Sequence, residues 1–230
     1  MELLQQKQWY WGLNMDWSQV TALTIPEGNV EQVSVNGVVL WKKAPSQTFV
    51  EYIEFDGNSW IDTGFTQQTC RIEFGVEFIN HNNNAVQLMG FHPSNAGFWG
   101  INFRGKSKYF PVLNINPYQY NDVILNFDAT DTKKPVLTLT IGDATSSPVV
   151  GSVVQTNATY VMGGIKYGSN INYNNFMKVY YNRIYNANNE LIQDLRPCLD
   201  NNNVACMYDM VTGTYFYNQG TGQFIAGDIL

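Results

Sequence analysis

The chain has 230 residues, with 13 Lys and Arg against 19 Asp and Glu and a formal net charge of -6, which argues against nucleic acid as a partner because phosphate neutralisation needs clustered cations. The nearest approach to such a cluster is Arg104, Lys106 and Lys108. Charged residues make up 14% and aromatic residues another 14%, a balance that suits a β protein, and at 44% hydrophobic a chain this long buries roughly 70% of its unfolded surface without disulfide staples.

The opening segment, Met1 to Gln8, has no basic stretch followed by an apolar one, so no secretory signal is predicted. No run approaches the ~18 apolar residues of a membrane span, so no membrane insertion is expected. The expected setting is a reducing cytoplasm, with any export by another route. The cysteines agree: Cys198 and Cys206 flank a polar loop and can in principle bridge, but Cys70 has no partner, and buried thiols are the expectation.

Residues 1–44 read as a small N-terminal β module. It begins with Trp9, Tyr10, Trp11 and Trp17, then shows a strand over 21–25, a turn over 26–29 and a strand over 30–35. Asn36-Gly37 predicts a type I′ hairpin, since both central residues must take positive φ, and the return strand runs from Val38 to Trp41. So short a stretch cannot bury its own aromatics and must pack on the rest of the chain or on a partner. Residues 45–48 read as a linker, polar and interrupted by Pro45.

From residue 49 to 230 nearly every segment has period two. Ile72, Phe74, Val76 and Phe78 share one face while Arg71, Glu73 and Glu77 share the other, and the same alternation recurs in Val123, Leu125 and Phe127 and in Leu137, Leu139 and Ile141. Strands with one buried and one wet face predict antiparallel sheets packed as a sandwich. Helical periodicity is confined at most to a short exception over 189–195. There are more candidate strands than an immunoglobulin-sized unit holds, so the predicted class is all-β, an antiparallel two-sheet jelly-roll sandwich.

Particular residues then carry a resemblance. The segment from Tyr52 through Phe55-Asp56-Gly57-Asn58-Ser59-Trp60 to Phe65 resembles the opening hairpin of concanavalin A-like (laminin-G-like) jelly-roll domains, common in phage tail and receptor-binding proteins and in bacterial surface proteins. Met177 to Tyr181, Arg183 to Tyr185 and Leu191 to Pro197 resemble that family's penultimate strands. Val204 to Asn218, with Gly220-Thr221-Gly222 and Phe224, resembles its closing hairpins. The chain departs from the family at Trp60, where Tyr is expected, and at Cys198, where Ala is expected. Leu23 to Val30 and Val35 to Val38, with Trp41 and Lys42, are similar to short N-terminal modules of phage structural proteins. That likeness implies a virion anchor at residues 1–44, with Trp9, Tyr10, Trp11, Trp17 and Trp41 as docking residues and release by host lysis.

Within that frame, no catalytic residue is expected. Jelly-roll glycoside hydrolases place carboxylates at alternate strand positions, and Glu54-Phe55-Asp56 begins such a spacing without completing it. His81 and His92 have neither metal-ligand spacing nor a paired nucleophile. Gly220-Thr221-Gly222 lacks the helix and Lys of a phosphate loop and reads as turn chemistry. Asp128, Asp131 and Asp143, or Asp200 with Asn201 to Asn203, offer oxygen ligands, but no loop has the acidic spacing of a calcium motif, so neither metal nor cofactor is predicted.

Carbohydrate binding is the sharper expectation, because sugars need aromatic planes together with amide or guanidinium groups on a wet surface. Period two turns Trp99, Ile101 and Phe103 inward and Phe98, Asn102 and Arg104 outward, with Tyr109 beyond. Tyr118, Tyr120, Tyr167 and Tyr173 are expected in Asn-rich loops that can line the same region or simply cap the sandwich edges. The expected protein is a bacteriophage virion component assembled in the host cytoplasm: a tail-fibre, receptor-binding or head-decoration subunit. It would bind other virion proteins through residues 1–44 and host-surface carbohydrate through the jelly roll, as a homo-oligomer such as a trimer. The alternatives are a virion subunit without a sugar site, then a bacterial surface adhesin, then a glycoside hydrolase.

Overall fold

The computed structural model describes residues 32–35, 38–42, 47–80, 87–91, 99–102, 118–150, 159–167, 170–172 and 176–230, with backbone pairing alone for the strands at 32–42, 87–102 and 165–172. The chain divides into two compact units, Met1–Ala44 and Pro45–Leu230. In the first, β1 (Gln32–Val35) and β2 (Val38–Lys42) pair antiparallel around Asn36-Gly37, with Val35 opposite Val38 and a register shift at Val33/Ser34. The strand expected at 21–25 and its turn lie outside the described residues.

The second unit holds β3 (Thr48–Phe49), β4 (Ile53–Asp56), β5 (Ile61–Thr66), β6 (Cys70–Asn80), β7 (Gln87–Phe91), β8 (Trp99–Asn102), β9 (Tyr120–Asp128) and β10 (Val136–Ile141). These are followed by β11 (Ala144–Thr145), β12 (Val149–Val150), β13 (Thr159–Met162), β14 (Ile165–Tyr167), β15 (Asn170–Asn172) and β16 (Phe176–Asn186). The last four are β17 (Leu191–Leu199), β18 (Ala205–Asp209), β19 (Tyr215–Phe216) and β20 (Phe224–Ala226). Among the described residues every element is a strand and the ladders are antiparallel. The helical exception at 189–195 is a turn and a strand: Asn189 takes a φ of 63° and β17 starts at Leu191. Thr48, expected in the linker, is already paired with Leu199.

The large sheet runs β11-β10-β9-β6-β16-β17-β18-β19, and a four-stranded sheet runs β5-β13-β7-β8. The long strand β16 organises the large sheet. One edge pairs with β6 along its length, while on the other Phe176 to Val179 meet β4 and Asn182 to Tyr185 meet β17. One buried cluster draws Ile72, Phe74, Val123, Leu125 and Ile184 from the large sheet and Ile61, Phe65, Tyr160 and Met162 from the smaller one. Burial of each such side chain stabilises by ~1.5–3 kcal/mol. The same contact carries polar bonds that fix the facing of the sheets: Asn182 Nδ2 donates to the Tyr160 hydroxyl at 3.3 Å and Gln193 Nε2 to the Thr63 carbonyl at 3.2 Å.

The segments around Asp56 and Gly222 meet in space. Asp56 accepts the N–H of Asn58 at 2.9 Å and that of Gln223 at 2.8 Å, and Gly222 N–H bonds the Asn58 carbonyl at 3.1 Å. A Cβ on Gly220 would lie 1.9 Å from the Asn58 carbonyl oxygen and one on Gly222 2.1 Å from Asp56 Oδ1, so Gly-Thr-Gly serves close backbone approach. Cys198 and Cys206 sit directly opposite each other on β17 and β18, reduced and buried, with their sulfurs 3.5 Å apart.

Candidate functional site

The outward face of the large sheet carries an ordered set of tyrosines and charges. On β6, Arg71, Glu73 and Glu77 turn outward while Ile72, Phe74, Val76 and Phe78 are buried, as period two requires. Gly75 belongs to the outward series but is covered. A Cβ there would stand 2.8 Å from both Tyr120 Oη and Tyr181 Cε1, so glycine lets two rings settle on the backbone.

A β-bulge supplies the second half of the arrangement. Val179 pairs with Val76 and Tyr181 with Gly75, leaving Tyr180 as the extra residue of β16. Before it Lys178 and Tyr180 face outward between buried Met177 and Val179; after it Tyr181, Arg183 and Tyr185 do, between buried Asn182 and Ile184. The slip in parity places two consecutive tyrosines on one face.

These rings form a chain. Tyr52 and Tyr180 meet edge-on at 5.5 Å between centroids, and Tyr180 and Tyr120 at 5.0 Å and 86°. Such contacts contribute ~0.5–1.5 kcal/mol beyond area burial. Four hydroxyls of this face are directed at carboxylates. Tyr180 donates to Glu77 Oε2 at 3.1 Å, Tyr185 to Glu73 Oε2 at 3.3 Å, Tyr181 to Asp122 Oδ1 at 2.8 Å, and Tyr120 to the same oxygen.

Cations complete the face. Lys178 Nζ lies 4.8 Å above the Tyr52 ring and 3.3 Å from Glu77 Oε2. Arg71 lies over Tyr185 at 4.1 Å, with Nε 3.2 Å from Glu73 in a charge contact too bent for a hydrogen bond. Arg183 and Arg196 approach the Tyr181 ring at 5.0 and 5.7 Å and converge on Asp194 Oδ1 at 3.4 and 2.8 Å. Burial, reinforced by Asp122, pushes the Tyr120 hydroxyl up to about 12, and burial with Glu77 does the same for Tyr180. Both phenols therefore remain protonated donors at neutral pH.

Of the residues expected to touch sugar, Tyr120 belongs to this face, 48% exposed, as the first residue of β9 and not in a loop. Tyr118 stands beside it, 60% exposed, at a φ of 60° in the preceding turn, its N–H bonded to the Phe78 carbonyl. Tyr167 closes β14 opposite Asn170, a strand position where a loop was expected, and Asn102 closes β8 opposite Gln87 in the other sheet. Phe98, Arg104, Tyr109 and Tyr173 lie outside the described residues. So do His81, His92, Trp9, Tyr10, Trp11 and Trp17, while Trp41 is paired with Val33 in β2. Tyr52, Tyr180, Tyr181 and Tyr185 were not nominated from sequence; the signal for them was the Tyr-Tyr doublet inside a strand that otherwise alternates.

Several of the carboxylates considered for calcium close turns. Asp128 accepts from Thr130, Asp131 from the Lys133 N–H, and Asp200 from the N–H groups of Asn202 and Val204. Among the described residues no three His, Cys, Asp or Glu side chains are grouped to hold a metal ion. Burial raises the carboxyl of Asp56, considered in the hydrolase spacing, but hydrogen bonds with the Gln223 and Asn58 N–H groups, the Ser59 hydroxyl and its own N–H together hold it below the ordinary 3.8. Neither protein-family models nor curated proteins match the chain.

Proposed function

We propose that this chain is a bacteriophage virion protein whose second unit, a concanavalin A-like jelly-roll sandwich, adheres to carbohydrate on the host surface. The observation that supports sugar binding is the face around Gly75, where Tyr120, Tyr180 and Tyr52 meet edge-on beside carboxylates and cations. Aromatic planes receive the C–H faces of a pyranose, and the charged groups exchange hydrogen bonds with its hydroxyls. A single shallow site binds weakly, and homo-oligomeric display on a particle supplies avidity. Residues 1–44 attach the protein to other virion proteins, a role resting on their resemblance to phage modules.

The test is a glycan array probed with the full chain and with Tyr120→Ala and Tyr180→Ala, alongside immunogold microscopy of virions. The expected result is a signal that both variants lose while they stay folded, with a melting temperature lower by only a few degrees, and label on the particle. Silence at high valency refutes adhesion. One observation favours the second reading, a structural virion subunit without a sugar site: Tyr120, Tyr180, Tyr181 and Tyr185 already bond within the protein.

A further inference from the structure

Resting on that reading of the Gly75 face, we infer that its ligand is an uncharged, hydroxyl-rich oligosaccharide and that acidic glycans are excluded. No cation on this face is uncommitted. Arg71, Lys178, Arg183 and Arg196 bring four positive charges, Glu73, Glu77, Asp122 and Asp194 match them, and Glu54 opposite Lys178 and Glu51 near Tyr180 add further negative charge. Each of the four cations already lies within 3.4 Å of a carboxylate oxygen.

A sialic or uronic acid could gain a cation only by drawing it from its partner. At Asp194, 8% exposed, that would strip one of the two guanidinium groups that compensate a buried carboxylate, a costly way to weaken an ion pair. Asp122 is held by two phenols and adds a negative field at the Tyr120 end. A neutral sugar disturbs none of these pairs. Its C–H face covers the exposed Tyr120 ring and its hydroxyls donate to remaining carboxylate lone pairs. Its oxygens accept from Arg71 and Arg183, whose side chains are 34% and 33% exposed beside their tyrosine rings.

The experiment uses the full chain and defined probes: cellohexaose, maltohexaose, laminarihexaose and chitohexaose as neutral sugars, sialyllactose and hexagalacturonate as acidic ones, and chitosan hexamer as a cationic one. Calorimetry at about 50 and 500 mM salt is expected to show binding confined to neutral probes, with affinity changing less than about twofold, because no net charge is neutralised. Tyr120→Ala should weaken it at least about tenfold. Glu77→Gln, which frees Lys178 from its carboxylate partner, should raise the affinity for an acidic probe in a salt-dependent way. If the unaltered protein prefers an acidic or cationic probe by tenfold or more and Tyr120→Ala abolishes it, the neutral assignment is overturned while the sugar site stands. If no probe binds at array valency, the carbohydrate reading itself falls.

Discussion

Replacing Gly75 with Ala separates the tyrosine face from the core beneath it. The backbone gains, since a strand glycine exchanged for alanine at negative φ loses unfolded-state entropy, a benefit of ~0.4–1 kcal/mol. Against this, the new methyl would stand 2.8 Å from Tyr120 Oη and Tyr181 Cε1, closer than real Cβ contacts allow, and both rings must tilt away. That movement endangers two hydrogen bonds, from Tyr120 and Tyr181 to Asp122, each contributing about 1 kcal/mol at a half-exposed site. The expected net loss is about 1 kcal/mol, or ~2–4 °C in melting temperature. Phe74→Ala, one residue away on the buried side, should cost ~3–5 kcal/mol. Urea unfolding measures both, and near-UV circular dichroism reports the rings. Gly75→Ala should change the tyrosine signal and weaken sugar binding with little loss of stability. A loss matching that of Phe74→Ala would mean that the rings cannot yield, and an unchanged tyrosine spectrum would mean that they do not rest on Gly75.

Titration should reveal the rest of the architecture. The Asp56 carboxyl lies below 3.8 when folded, so its stabilisation is complete above that value and disappears as pH falls through the folded pKa; Asp56→Asn should flatten this limb of an acid melting series, and parallel curves would refute the role. Tyr120 and Tyr180, raised to about 12, make the opposite alkaline case: stability should decline as pH climbs from about 10 toward 12. In Asp122→Asn, spectrophotometric titration should find part of the phenolate signal at lower pH, and an identical curve would rule out the carboxylate's influence. Cys70, raised to about 12 by burial, should resist iodoacetamide at neutral pH and react fully in urea, whereas labelling of the native protein within minutes would reveal local opening at β6.

What could be read from sequence was whatever depends on near neighbours. The alternation of Ile72 to Phe78 stated which side is buried, and Asn36-Gly37 lies between the paired ends of β1 and β2. The site depends on distant partners. Tyr180 reaches Glu77 across 103 residues, and Gln223 reaches Asp56 across 167, registers that local pattern does not encode. Tyr120 is expected at the surface because of the Asn-rich loop around it, yet the ring it meets is Tyr180 of β16, and Tyr181 of the same strand shares Asp122 with it. Trp60 is held through its backbone: its N–H bonds Asn218 Oδ1 and its carbonyl accepts from Gln219, so exchanging one aromatic for another there would leave both bonds available.

The bulge and the glycine act as one device. Without the extra residue at Tyr180, strict alternation would send the side chain of Tyr181 toward the core; with it, Lys178, Tyr180, Tyr181, Arg183 and Tyr185 share the solvent side. A side chain at position 75 would then prop up two of those rings, whereas glycine lets them lie against the sheet and reach Asp122 together. Phenols anchored this way and flanked by guanidinium groups lose little further freedom when a ligand covers them. The internal bonds that favour a structural role therefore fit the proposed adhesive surface equally well, and what distinguishes the two is whether Tyr120 can be removed without consequence for binding.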